Sequence, residues 1–473
     1  MPAWKLPRKR SVALFCLLLV VYNANFRQVS SGDTLMARYV PISLLRWGTL
    51  HLDRLVTVDP TKGLILNQWI ARGHLYDSFP PVAPLFALPV YALPVWAGHP
   101  ANPRLLSNLC SKIAASIMAA LSAVLLYEAL RRVLPTGRAA CIAALAYGLG
   151  TSVWSTASQG LWTHSPAVLT LCGAILLLTR QRPGWAATLL AIGCVARPAT
   201  LPLIPLLISY DFTPPPHTGA VHAKALAWLG FALRYFWGAA FVIAAGAAYN
   251  DWLFGDPAGS NAMRNAYFTR LFGTSDFGGS LSGGLLGLLV SPNRGLFVFS
   301  PVVAFAFWGG VRAWSPTPAR AQQAQRLARF AGIGFIVVLL VYSKYLVWWA
   351  GDAFGPRYLT DVMPLLAVML AFGLAELGWG EPDGAPTPSV RRLFAALLAY
   401  SVFIQTVGAL CWPSTWNRGY PPPHERLWDW KRTEIATCLR EGPRLDPVVR
   451  RILRTLRIDV PDRSADQAAT PSS

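Results

Sequence analysis

The chain has 473 residues, of which 54% are hydrophobic and only 14% charged, with a formal net charge of +20. Apolar runs long enough to cross a hydrocarbon core of roughly 30 Å recur along it, which excludes an ordinary soluble domain and marks an all-α polytopic membrane protein. In a soluble protein such a charge suggests nucleic acid as a partner. Here the basic residues gather at the ends of apolar runs, where orientation signals belong, so nucleic acid is excluded as a partner.

Lys5, Arg8, Lys9 and Arg10 precede the apolar run Ser11 to Phe26. No small-x-small cleavage site follows, so the run is expected to be a retained anchor with its amino end in the cytoplasm. Residues 27–108 then form a long first extracytoplasmic loop. It contains Asp33, Arg38, Asp53, Asp59, Lys62, Arg72 and His74 and closes on Tyr76-Asp77-Ser78-Phe79-Pro80-Pro81. Pro80 to Gly98 is apolar but interrupted by five prolines. A full crossing there would carry Arg131, Arg132 and Arg138 to the outside, so the segment is predicted to be a re-entrant or interfacial helix pair.

Crossings are predicted for Leu109 to Leu130, Ala139 to Ser155 and Pro166 to Thr179. A short pair, Trp185 to Val195 and Ala199 to Ser209, turns around Arg197-Pro198. Trp228 to Ala248 leads to an outer loop from Asn250 to about Gly284, whose glycines lack any phosphate-binding pattern and are expected to be flexible. Leu296 to Val311, Phe330 to Trp348, Leu359 to Leu377 and Leu393 to Leu410 complete about eleven crossings. Residues 1–411 are thus predicted to form the transmembrane domain. Residues 412–473 form an extracytoplasmic tail whose end, Ser464 to Ser473, has a disordered composition. The seven cysteines show neither a disulfide framework nor zinc-ligand spacing.

This topology puts the polar chemistry on one side. Asp33 either holds a base or is a solvated boundary residue; a carboxylate there can take a proton from a hydroxyl while nearby cations hold phosphate. Trp162 and His164, in Gln159-Gly160-Leu161-Trp162-Thr163-His164, are interfacial anchors or sugar and phosphate contacts. Arg197 lies within membrane thickness, where a charge faces a cavity or an anionic partner. Lys344, Arg357 and Tyr358 flank the paired Trp348-Trp349 and either clamp a phosphate or anchor the chain at the interface.

An acid after the first span, an acid-aromatic-Pro-Pro turn and a late Arg357-Tyr358-Leu359 to Pro364 stretch together resemble the GT-C superfamily of membrane glycosyltransferases. They are most similar to its branch with protein mannosyltransferases and aminoarabinose transferases. Two departures stand out: a single Asp33 in place of a paired acidic motif, and Asp77 in place of a histidine before the prolines.

The resemblance implies a glycosyltransferase that moves a sugar from a polyprenyl-phosphate donor to a lipid, glycan or protein acceptor. Asp33 would be the general base. Arg197, Lys344 and Arg357 would bind the donor phosphate, and His74, Asp77, His164 and Tyr358 the substrate. No residue is assigned to a metal and no cofactor is assigned, although a divalent cation is compatible with the acids. The expected location is a bacterial inner membrane, with membrane lipids around the chain and the active site facing outside. The alternatives are a transporter or flippase of lipid-linked sugars, or a non-catalytic partner in envelope assembly.

Overall fold

Long apolar runs become helices here because nothing in a membrane can satisfy an open backbone. The computed structural model describes residues 9–25, 27–29, 31–57, 67–98, 102–212, 221–316, 321–379, 386–412, 416, 424–444 and 455. Lys5, Arg8, Asp59, Lys62 and the end 464–473 therefore lie outside the described residues.

The elements in order are α1 (Lys9–Asn23), α2 (Gly32–Leu35), α3 (Val40–Trp47), β1 (Gln68–Ala71), β2 (His74–Asp77), α4 (Val82–Ala97), α5 (Pro103–Val133), α6 (Gly137–Gly150), α7 (His164–Leu178), α8 (Pro183–Ala196) and α9 (Leu203–Ile208). They continue as α10 (Val221–Tyr235), α11 (Trp237–Phe254), α12 (Ser260–Phe272), α13 (Leu281–Val290), α14 (Leu296–Phe299), α15 (Ala304–Arg312), α16 (Gln322–Lys344), α17 (Met363–Glu376), α18 (Pro388–Cys411), α19 (His424–Leu427) and α20 (Glu434–Glu441). A short turn, Arg357–Val362, leads directly into α17.

Among the described residues, four segments are long and apolar enough to cross a membrane: α5, α16, Arg357–Glu376 and α18. The pair α10 and α11 makes a fifth if taken as one span, although it bends by 63°. Shorter apolar helices α4, α7, α8 and α13 pack among them. This is an integral membrane protein built of helices, and the hairpin β1–β2 is the only sheet among the described residues.

The longest helix, α5, shows how local sequence sets an element. The Asn102 side chain accepts from the Leu105 N–H at 3.0 Å, Pro103 occupies the first turn, and Arg131 and Arg132 close the last. The most enclosed helices are α7 and α17, whose residues are buried almost throughout. Small residues let α17 approach its neighbour α15: a Cβ on Gly309 would sit 2.2 Å from the Met369 carbonyl oxygen.

Several elements differ from the hydropathy reading. Pro80 to Gly98 contains one helix, α4, rather than a pair; Pro89 and Pro94 lie inside it, each removing a single N–H donor without ending the helix. The run from Trp228 to Ala248 is divided at Phe236. The run from Leu296 to Val311 is broken at Ser300-Pro301, where the ring and missing N–H of proline favour a new start. The expected loop between Asn250 and Gly284 contains α12 and the start of α13.

Gly283 and Gly284 are in the first turn of α13, capped by the Ser280 hydroxyl, which accepts from Gly283 N–H. A Cβ on Gly284 would meet the Ser343 carbonyl oxygen at 2.0 Å, so this glycine permits a close backbone crossing. In the tail, α20 packs on α18, and Glu434 is buried against Arg294 with a contact of 2.7 Å.

Candidate active site

α7 and the turn before α17 bring their N-terminal ends to one level of the bundle, and most of the expected site residues gather there. Asp361, fully buried, is the hub. It accepts from Arg197 Nε at 2.9 Å, faces His164 Nδ1 at 2.7 Å and accepts a hydrogen bond from the Tyr342 hydroxyl. Arg197 also donates to the Tyr342 hydroxyl at 2.8 Å. The carboxylate therefore compensates Arg197 and fixes its direction, since a buried guanidinium without a counter-charge would be costly.

Tyr358 links this cluster to a second one. Its ring stacks on Tyr342, with centroids 4.7 Å apart and planes 11° from parallel. The Arg197 guanidinium carbon lies 5.3 Å from the Tyr358 centroid, and that of Arg357 lies 5.8 Å from it. Arg357 also sits over Trp162, 4.9 Å from the ring. Arg357 NH1 donates to Asp33 Oδ2 at 2.6 Å, with the arginine side chain 7% exposed and the aspartate 30%.

Asp33 and Asp77 are near enough to interact. The Asp77 carboxyl is buried, and burial pushes its pKa up to about 8; the Phe79 N–H opposes the shift and the charge of Asp33 adds to it. One Asp77 oxygen accepts from Phe79 N–H at 3.1 Å, and the other is buried with no hydrogen-bond partner. Burial thus favours the neutral acid form of Asp77. The hairpin holds it in place: Gln68 pairs with Asp77 and Ala71 with His74, around a turn at Arg72-Gly73 with positive φ at both residues.

A cavity opens beside these groups. Its walls include Phe79, Pro80, Arg197, Asn261, Arg264, Tyr342, Tyr345 and Tyr358. Two guanidinium groups facing aromatic walls suit an anion attached to an apolar body. Arg264 is also held by Asp276, with Nε 2.7 Å from the carboxylate.

The structure brings together Asp33, Asp77, His164, Arg197, Arg357 and Tyr358. It does not bring Lys344 or His74 to them. Lys344 is exposed and donates to the Gly279 carbonyl at 3.0 Å, while the next residue, Tyr345, faces the cavity. His74 stands at the far end of β2, beside Asp53. Sequence reasoning missed Arg264, Asn261, Tyr342 and Tyr345 as cavity residues. Arg264 had no visible signal, because α12 is too polar for a hydropathy reading to notice.

No protein-family model and no curated protein sequence matches the chain. Among solved structures it is similar to the crystal structure of ArnT from Cupriavidus metallidurans bound to undecaprenyl phosphate. That likeness has 14% sequence identity, covers 84% of this chain and 75% of that one, and has a TM-score of 0.46. At that level it assigns neither a fold nor a substrate to this chain.

Proposed function

We propose that the chain is a GT-C type glycosyltransferase that moves a sugar from a polyprenyl-phosphate donor to a lipid, glycan or protein acceptor. Residues 1–411 form the catalytic membrane domain. The site faces outward from a bacterial inner membrane, where a donor dissolved in lipid can be presented without a nucleotide sugar.

One observation carries the reading: the Asp33–Arg357 ion pair stands beside an aromatic cavity that presents Arg197 and Arg264. In the transfer, the acceptor hydroxyl oxygen forms a bond to the anomeric carbon as the bond from that carbon to the phosphate oxygen breaks. The hydroxyl proton goes to Asp33, and the bonding electron pair leaves with the phosphate. A leaving phosphate is already a stabilised anion, so it needs cations more than an acid. Arg357, Arg197 and Arg264 supply them.

The resting pair adds a control. Arg357 occupies Asp33 Oδ2 in the resting pair, so this oxygen is open to the acceptor hydroxyl only when donor phosphate competes for the arginine. Asp77, neutral and with one oxygen unpartnered, offers a hydrogen bond to a sugar or acceptor hydroxyl. His164 acts through Asp361, and Tyr358 forms a wall between the two arginines.

The test is incubation of purified protein with a panel of polyprenyl-phosphate sugars and a membrane acceptor extract, measuring released prenyl phosphate. Release that depends on acceptor and disappears in Asp33→Asn supports the proposal. Near-normal release by a normally inserted Asp33→Asn protein overturns it.

A further inference from the structure

Away from the cavity, the segment after α3 and the first residue of β2 bring three potential ligands to one point. Asp53 Oδ2 lies 2.7 Å from His74 Nδ1 and 2.9 Å from His51 Nδ1. The two imidazoles stack with centroids 4.3 Å apart and planes 18° from parallel. The other Asp53 oxygen accepts from Leu75 N–H at 2.7 Å, and the His51 carbonyl accepts from Ser43 Oγ at 2.6 Å. Backbone and carboxylate are therefore oriented before any ligand arrives.

His74 Nδ1 has a hydrogen bond to Asp53, but His51 Nδ1 does not. It is buried and makes no hydrogen bond, despite lying 2.9 Å from the carboxylate oxygen. A buried polar atom left in this way calls for a partner. All three ligand atoms lie within 4.8 Å of one another.

We propose that His51, Asp53 and His74 bind a transition-metal dication, with Zn²⁺ the best match. Two imidazole nitrogens and one carboxylate oxygen form a borderline donor set that suits zinc and disfavours Mg²⁺ or Ca²⁺, which take oxygen ligands. A tetrahedral zinc with bonds of about 2.0–2.1 Å spaces its ligand atoms about 3.3 Å apart. The two carboxylate–imidazole separations would open by about half an ångström, and the stacked rings would rotate so that a nitrogen of each faces the ion. The Asp53 and His74 side chains are 37% and 48% exposed, so a water can fill the fourth position.

Such an ion ties the segment after α3 to the strand whose other end carries Asp77. The hairpin has only four residues in each strand and docks through Trp69 Nε1, which donates to the Leu253 carbonyl at 3.1 Å. The ion serves as a clamp on this hairpin and takes no part in sugar transfer, so its test does not use activity.

Tag-free full-length protein in detergent, stripped with EDTA and desalted, is titrated with Zn²⁺ alone, with Mg²⁺ as comparison. Metal content is measured after a second desalting. The expected result is one retained zinc per chain, with affinity at least about tenfold weaker in His74→Gln and in His51→Gln. Co²⁺ should give the visible absorption of a tetrahedral site in the wild type and lose it in both variants. The half-exposed His74 makes His74→Gln the safer variant, and metal-free unfolding equal to wild type verifies its fold. Absence of saturable zinc binding, or equal stoichiometry and affinity in wild type and His74→Gln, overturns the proposal.

Discussion

Asp33→Asn should bind donor phosphate more tightly than the wild type while losing transfer. The structure supplies the reason: Arg357 donates to Asp33 at 2.6 Å, so donor phosphate must compete with this carboxylate for the same guanidinium. Unit charges about 4 Å apart attract by about 4 kcal/mol at an effective dielectric of 20. Asp33 keeps 30% of its side chain exposed, and solvent screening reduces the value to about 1–2 kcal/mol. Removing the competitor should therefore tighten prenyl-phosphate binding by roughly tenfold. Without its general base, the chemical step should slow by about 10²–10⁴-fold. The assay pairs equilibrium binding of labelled prenyl phosphate with single-turnover release from the sugar donor. Arg357→Lys in the same background should remove most of the gain, since lysine lacks the planar fork. Weaker binding by Asp33→Asn, or transfer near the wild-type rate, would refute the reasoning.

Asp361→Asn removes the carboxylate that pairs with Arg197 at 2.9 Å. It should destabilise the protein by about 2–4 kcal/mol, less than breaking a fully buried pair would, because Arg197 faces a cavity. An unchanged thermal unfolding midpoint in detergent would contradict this. For Asp77, the ordinary carboxyl value is 3.8 and the folded value is about 8. Between them the folded chain holds a proton that the unfolded chain has released, so this group's contribution makes stability fall as pH rises across that window. Asp77→Asn should remove that part of the slope; identical pH profiles for the two proteins would count against a neutral Asp77. Arg264→Ala should weaken prenyl-phosphate binding about tenfold by removing a charge-assisted hydrogen bond. Lys344→Ala should change it by less than about twofold, because its amine is turned to the Gly279 carbonyl; the reverse order of effects would exclude the cavity as the phosphate site.

What the sequence made legible, and what it hid, follows from how membrane helices are encoded. Apolar length places a helix, and Asp33, Arg197 and Arg357 could be singled out because a charge beside or within an apolar run is costly and therefore conspicuous. Pairing is not encoded in that way. Asp33 and Arg357 are 324 positions apart, and Arg197 and Asp361 are 164 apart, so no local pattern joins them. Direction at a helix end is equally hidden. Neighbouring helical residues point about 100° apart, and at the end of α16 that difference turns Lys344 to Gly279 and Tyr345 to the cavity. Arg264 was invisible for the opposite reason to Arg357: its helix is polar, so its charge cost nothing that a hydropathy reading could detect. The pairing that the sequence hid also bears most on mechanism. A lone Asp33 would leave both oxygens open to a hydroxyl, whereas Asp33 held by Arg357 offers Oδ2 only when another anion takes the arginine, which would couple acceptor contact to donor binding.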